Sequence, residues 1–159
     1  MPTSYLNAAR PDGGWAAEGD MNNLTQAVFS KATGSNFLTS ISSRLRNGFG
    51  QEGEEYPYCV FLLPVSNDPQ TISSFDKNYE EVRMQFSIFS SSSSPSEALT
   101  IYGYLTSLYD DCTLSITGRT LLKMERTNTT MITEEHTLKD GTIKVYHIAV
   151  DYLIATKVG

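Results

Sequence analysis

The chain has 159 residues, 40% of them hydrophobic and 19% charged, which suits one globular domain with a substantial core. Its net charge of −6 and pI near 4.8 exclude a surface built to grip nucleic-acid phosphates, because such surfaces cluster cations. The longest uninterrupted apolar run, Cys59–Leu63, ends at Pro64 and falls short of a membrane span.

Residues 1–20 carry two prolines and three glycines among scattered apolar residues, so an irregular arm is expected there. No basic-then-apolar signal is visible in it, so no secretion is expected. Tyr5, Leu6 and the sole tryptophan, Trp15, are too apolar for a solvated tail, and Tyr5 and Trp15 are assigned to a subunit or partner contact. From Asp20 or Asn22 a first helix is predicted to run to about Thr33, with Gly34 as its stop. Phe37, Leu38, Ile41 and Leu45 have helical spacing and predict a second helix over Phe37–Leu45.

Tyr56–Pro64 is apolar throughout and bounded by two prolines, the pattern of a short strand buried on both faces. Val65–Asp76 is a polar loop with Asn67-Asp68-Pro69 as turn chemistry. Glu81–Phe89 then alternates: Val82, Met84, Phe86 and Ile88 face the core, and Arg83 and Gln85 face away. After a serine run, Ser94-Pro95-Ser96-Glu97 starts a helix, with Ser94 as cap, Pro95 in the first turn and Glu97 closing a capping box. Ile101, Tyr102, Leu105, Leu108 and Tyr109 give that helix one apolar stripe.

Beyond Asp110-Asp111, Cys112, Leu114 and Ile116 alternate, Gly118 turns the chain, and Thr120–Arg126 resumes as a strand. Thr127–Thr130 reads as extended and exposed. Asp140-Gly141 is the best hairpin dipeptide in the chain. The closing strand, Ile143–Ala155, has an apolar face (Tyr146, Ile148, Val150, Tyr152, Ile154). Its other face is mixed (Val145, His147, Ala149, Asp151, Leu153), which suits a sheet that meets a partner. The class is therefore α+β: a mostly antiparallel four- to five-stranded sheet with helices packed on one face. One domain, 21–159, follows the 1–20 arm.

Chemistry is sparse. His136 and His147 lack the spacing and carboxylate company of a zinc site, and no nucleophile elbow or phosphate loop occurs. Cys59 and Cys112 read as free thiols in apolar settings. Acidic pairs such as Glu134-Glu135 read as solvated ends. Catalytic, metal and cofactor residues are expected to be none. Asp151, on the mixed face, is assigned to an inter-subunit salt bridge with Arg83 or Arg119. Tyr56, Tyr58, Tyr102, Tyr104 and Tyr109 are expected to gather at the helix–sheet seam.

Over residues 21–156 the order of elements resembles the tail-completion or tail-terminator (head–tail joining) proteins of long-tailed phages. The matching pieces are a leading helix, the Tyr56-Pro57-Tyr58 entry to a buried strand, and the alternating strand after it. The Glu97-Ala98-Leu99-Thr100-Ile101 helix opening, the Leu114–Gly118 strand and turn, and the long strand after Asp140-Gly141 complete it. The resemblance implies a structural virion protein, assembled in the host cytoplasm, that forms a ring, usually a hexamer, at the head-proximal end of the tail tube. Such a ring ends tube polymerisation and joins the tail to the neck. Its partners would be other copies of itself, the tail tube protein and a neck or head-completion protein. DNA would pass through the bore without specific binding, and no membrane is involved. Two loops are expected to reach tube or neck: Val65–Asp76, with Asp68 and Gln70, and Thr127–Thr142, with Asn128 and Glu134. A neck stopper or connector and a tube subunit are alternative readings, with an unrelated adaptor or small-ligand enzyme behind them.

Overall fold

The computed structural model describes residues 18–48, 50, 53–62 and 79–158. Helices α1 (Glu18–Ala32) and α2 (Asn36–Ser40) lead into strands β1 (Leu45–Asn47), β2 (Tyr58–Leu62) and β3 (Tyr79–Ser90). Helix α3 (Ser96–Tyr109) follows, then β4 (Ser115–Ile116), β5 (Arg119–Leu138) and β6 (Gly141–Val158).

The α+β class holds, but the sheet has six strands in the order β1-β2-β3-β6-β5-β4, and β1 pairs with β2 in parallel. The unforeseen strand is the short β1; β4 falls within the expected Leu114–Gly118 strand and turn. β1 lies partly where a second helix was expected. Ser35 caps α2 by accepting from the Leu38 N–H at 3.1 Å, but the helix ends after five residues. Ser42 and Ser43 then take positive φ (50° and 62°), which turns the chain so that Leu45 pairs with Cys59 instead of extending a helix. The first helix also begins earlier than expected, at Glu18, inside the predicted arm; Gly34, at φ 76°, ends it as expected.

The alternating strand is borne out. Val82, Met84, Phe86 and Ile88 are buried on β3, facing the α3 residues Ala98, Ile101, Leu105 and Tyr109 across one core. Phe86 is central to it, stacked on Tyr109 at 4.8 Å and edge-on to Tyr152 at 5.8 Å. Burying a ring of this size is worth about 1.5–3 kcal/mol. The start of α3 differs from the expectation: Pro95, and not Ser94, is the cap residue and no side chain caps the helix, although Ser94 Oγ accepts from the Ser96 N–H at 3.2 Å. Glu97 does not turn back to the cap. Its carboxylate accepts from Ser90 Oγ at 2.6 Å, tying the helix to the end of β3.

β5 and β6 form a long hairpin in register from Arg119↔Val158 to Leu138↔Gly141. Residues Thr127–Thr142, expected as a loop, are therefore mostly strand. Register shifts between Leu121 and Lys123 and between Arg126 and Asn128 bend β5. Pairing of β6 with β3 stops at Ser90↔Tyr146, so five residues of each hairpin strand run on without β3, about 17 Å at strand rise. This projecting part is called the arm below.

Candidate assembly interface

The sheet has two unlike faces. One carries the helices. The other presents Tyr58, Val60, Arg83, Gln85, Phe89, Val145, His147, Asp151 and Ala155, with Asn128, Thr130, Ile132 and Glu134 beside them on β5. Among them Val60, Val145 and Ala155 are buried although they lie outside the main core cluster.

This second face is concave at the arm end, and a row of rings shows why. Tyr58, Phe89 and His147 are register partners on β2, β3 and β6, with Ile132 next on β5. Tyr58 stacks on Phe89 at 4.9 Å and Phe89 on His147 at 4.4 Å. Tyr56, just before β2, reaches past the intervening strands to β5, where its hydroxyl meets His136 Nδ1 at 2.6 Å. Arg44 holds that entry in place, donating from Nε to the Pro57 carbonyl at 3.0 Å and from Nη2 to the Tyr56 carbonyl at 3.1 Å.

Glu134 is the hub of a polar network at the base of the arm. Its two oxygens contact His136 Nε2 at 2.9 Å and His147 Nδ1 at 2.8 Å. With protons on those two nitrogens, His136 Nδ1 is left to accept from Tyr56, and every one of these contacts is satisfied. His147 Nε2 is buried with no hydrogen-bond partner among the described residues. Burial pushes the Glu134 carboxyl up, but the donors His136 and His147 outweigh it and hold the group below its usual range. Burial pushes the Tyr58 hydroxyl up to about 12 and raises Tyr56 as well.

The sequence-predicted site residues divide as follows. Tyr5, Trp15, Asp68 and Gln70 lie outside the described residues. Asp151 accepts from Gln85 Nε2 at 2.9 Å. Arg83 is exposed on the same face. Arg119 is buried, its Nε donating to Thr156 Oγ1 at 2.9 Å, and in register it sits at the far end of β6 from Asp151. Asn128 and Glu134 lie on β5 and not in a loop; Asn128 is exposed and donates to Thr130 Oγ1 at 3.2 Å.

The structure joins Tyr56 and Tyr58, expected at the helix–sheet seam, to Phe89, His136 and His147, which the sequence reading had not connected with them. The tyrosines do not share one seam. Tyr109 is buried and donates to the Val28 carbonyl at 2.8 Å, and Tyr102 meets Arg126 and Thr129 on the helix side. Tyr56 and Tyr58 lie on the opposite face. Cys59 and Cys112 are both free. No group of three or more His, Cys, Asp or Glu among the described residues has the geometry to hold a metal ion. No described helix is long and apolar enough to cross a membrane.

Four of the eight large hydrophobic side chains exposed on the described surface, Leu122, Met131, Ile132 and Leu138, belong to β5. β4 covers this strand only at Arg119 and Thr120, so beyond Thr120 no described strand lies on its outer side. Open edges of this length invite strand addition, and isolated chains normally blunt them.

No protein-family model matches the chain, and no curated protein matches it. Among solved structures, it is similar to a chain of the virion of a native gene transfer agent (GTA) particle. That likeness has a TM-score of 0.61 at 8% identity and covers 89% of this chain and 99% of the other. It shows a shared fold. A second solved chain aligns at a TM-score of 0.49 and 11% identity, over 84% of this chain and 94% of its own, too distant to carry an argument.

Proposed function

We propose that this chain is a structural protein of a phage-like virion. In this reading it forms a ring at the head-proximal end of the tail tube, ends tube polymerisation and joins the tail to the neck while DNA passes through. The observation that carries the reading is the fold shared, over nearly the whole of both chains, with a virion chain. The open β5 edge and the projecting arm support an assembling role, and the acidic balance suits a bore that lets DNA slide without holding it. The work is geometric, without catalysis or cofactor, and the partners are other copies, the tube protein and a neck protein.

The test is light scattering of the full chain at rising concentration, alone and with tail tubes of its own particle, followed by negative-stain imaging. Rings of about six subunits, or density on one end of each tube, are expected; the ring is a cyclic, heterologous assembly that closes on itself. Open filaments would make the chain a tube subunit instead. A strict monomer that ignores tubes at high concentration would overturn the proposal.

A further inference from the structure

The arm has two open edges of different character. On the outer side, β5 residues 134–138 have no described strand beside them. On the inner side, β6 residues 141–145 have no described strand beside them, because β3 stops pairing at Ser90. That inner edge lines a notch of about 400 Å³, bounded by Ser91, Ser92 and Ser93 of the crossover and by Thr133, Ile143, Lys144 and Tyr146. Two strands alone make a marginal structure in water, and a third beside them stabilises it.

We infer that the occupant of the notch is the distal β5, residues 134–138, of a neighbouring copy. Three observations select it. The open β5 edge runs from Leu121 to Leu138, and its distal five residues lie at the same height along the arm as the five of the notch edge. Their charges are complementary: the incoming strand brings Glu135 and the notch presents Lys144, which share one face of the arm. The strand directions also agree. Rotating one hairpin about an axis along its arm places the next copy's β5 beside this copy's β6 with the two chains antiparallel, as β5 and β6 already are.

The contact joins unlike edges, so it is heterologous and closes by rotation. Once closed, every notch is filled and every distal β5 edge is covered. A two-fold pairing of β5 with β5 would leave all the notches empty. Residues at one height along the axis stay at that height under rotation, so Lys144 lies between its own register partner, Glu135, and the Glu135 of the next copy.

This inference rests on the ring reading and names the surface that would close the ring. The test mixes two single variants of the full chain, Glu135→Cys and Lys144→Cys, each in a Cys112→Ala background. Within one chain neither has an arm partner to bond, so a disulfide formed with diamide reports contact between copies. A cross-linked dimer is expected in the mixture, alone or on tubes, and not with either variant by itself. Thr137→Cys mixed with Thr142→Cys, also register partners, repeats the test at the tip, and unchanged melting of each variant confirms its fold. Ring-sized particles without cross-linking by either pair would overturn the inference and leave the ring reading standing. Cross-linking of Glu135→Cys with itself would replace the rotational contact with a two-fold one. Monomers throughout, with no tube capped and no disulfide, would overturn both.

Discussion

At the scale of single residues, the hub carboxylate and one buried phenol are the most exposed to test. The Glu134 carboxyl is held below its ordinary value in the folded chain. A depressed carboxyl contributes stability that is present above its unfolded value and is lost as pH falls through its folded value. Glu134→Gln is therefore expected to cost roughly 1.5 kcal/mol at neutral pH, where two hydrogen bonds to a charged acceptor are weakened. The gap between the two proteins should close below the ordinary carboxylate range, as urea unfolding at a series of pH values would show. An unchanged gap under acid would remove Glu134 from the account. Tyr109→Phe deletes one buried hydroxyl that donates to the Val28 carbonyl and ties α3 to α1. About 1 kcal/mol should be lost by the same measurement, and close to nothing for Tyr104→Phe, whose ring is exposed.

At the scale of elements, the patterned segments were legible and the connections were not. The period of two in Glu81–Phe89 and the stripe on α3 identified the core faces correctly, because burial on one side is what both periodicities encode. β1 was not legible. Its cause is a pair of serines at positive φ, a conformation that glycine or asparagine announces and serine does not. Joining Tyr56 to His136, eighty positions apart, requires knowing that the sheet bends. The rest of the network was nearly within reach: counting back from a turn at Asp140-Gly141 puts Glu134 opposite His147, whereas the chain turns one residue earlier, at Lys139-Asp140, which puts Ile132 opposite and Glu134 diagonal on the same face. The prediction at this scale concerns the arm. Replacing residues 134–145 by Asn-Gly joins Thr133 to its register partner Tyr146 through a two-residue turn. The fold should survive with roughly 2 kcal/mol lost, or roughly 4–8 °C in melting midpoint, while assembly disappears. Rings formed by the trimmed chain would show that the arm is not the contact.

At the scale of the whole molecule, charge and edge oppose one another. Each copy carries −6, so copies repel in dilute salt, whereas an exposed Lys144–Glu135 contact is worth at most about 1 kcal/mol. Net repulsion should therefore govern the salt response. Raising ionic strength from about 0.02 to about 0.3 M shortens the screening length to below 10 Å and should strengthen self-association by light scattering. Weaker association in added salt would mean that attractive ion pairs dominate the interface.

The long β5–β6 hairpin also has a consequence for how the chain reaches this structure. Its two strands are neighbours in sequence and zip outward from one tight turn, an event of about 1–10 μs. β2 is separated from them by α3 and much of the chain, and closing that distance is slow. The hairpin should accordingly be built early and Tyr56 should arrive at His136 late. Tyr56→Phe should then speed unfolding and leave the refolding rate nearly unchanged in stopped-flow kinetics, whereas Ile148→Val, in the middle of β6, should slow refolding. An arm completed before its support would be ready to meet another copy as soon as the chain has folded.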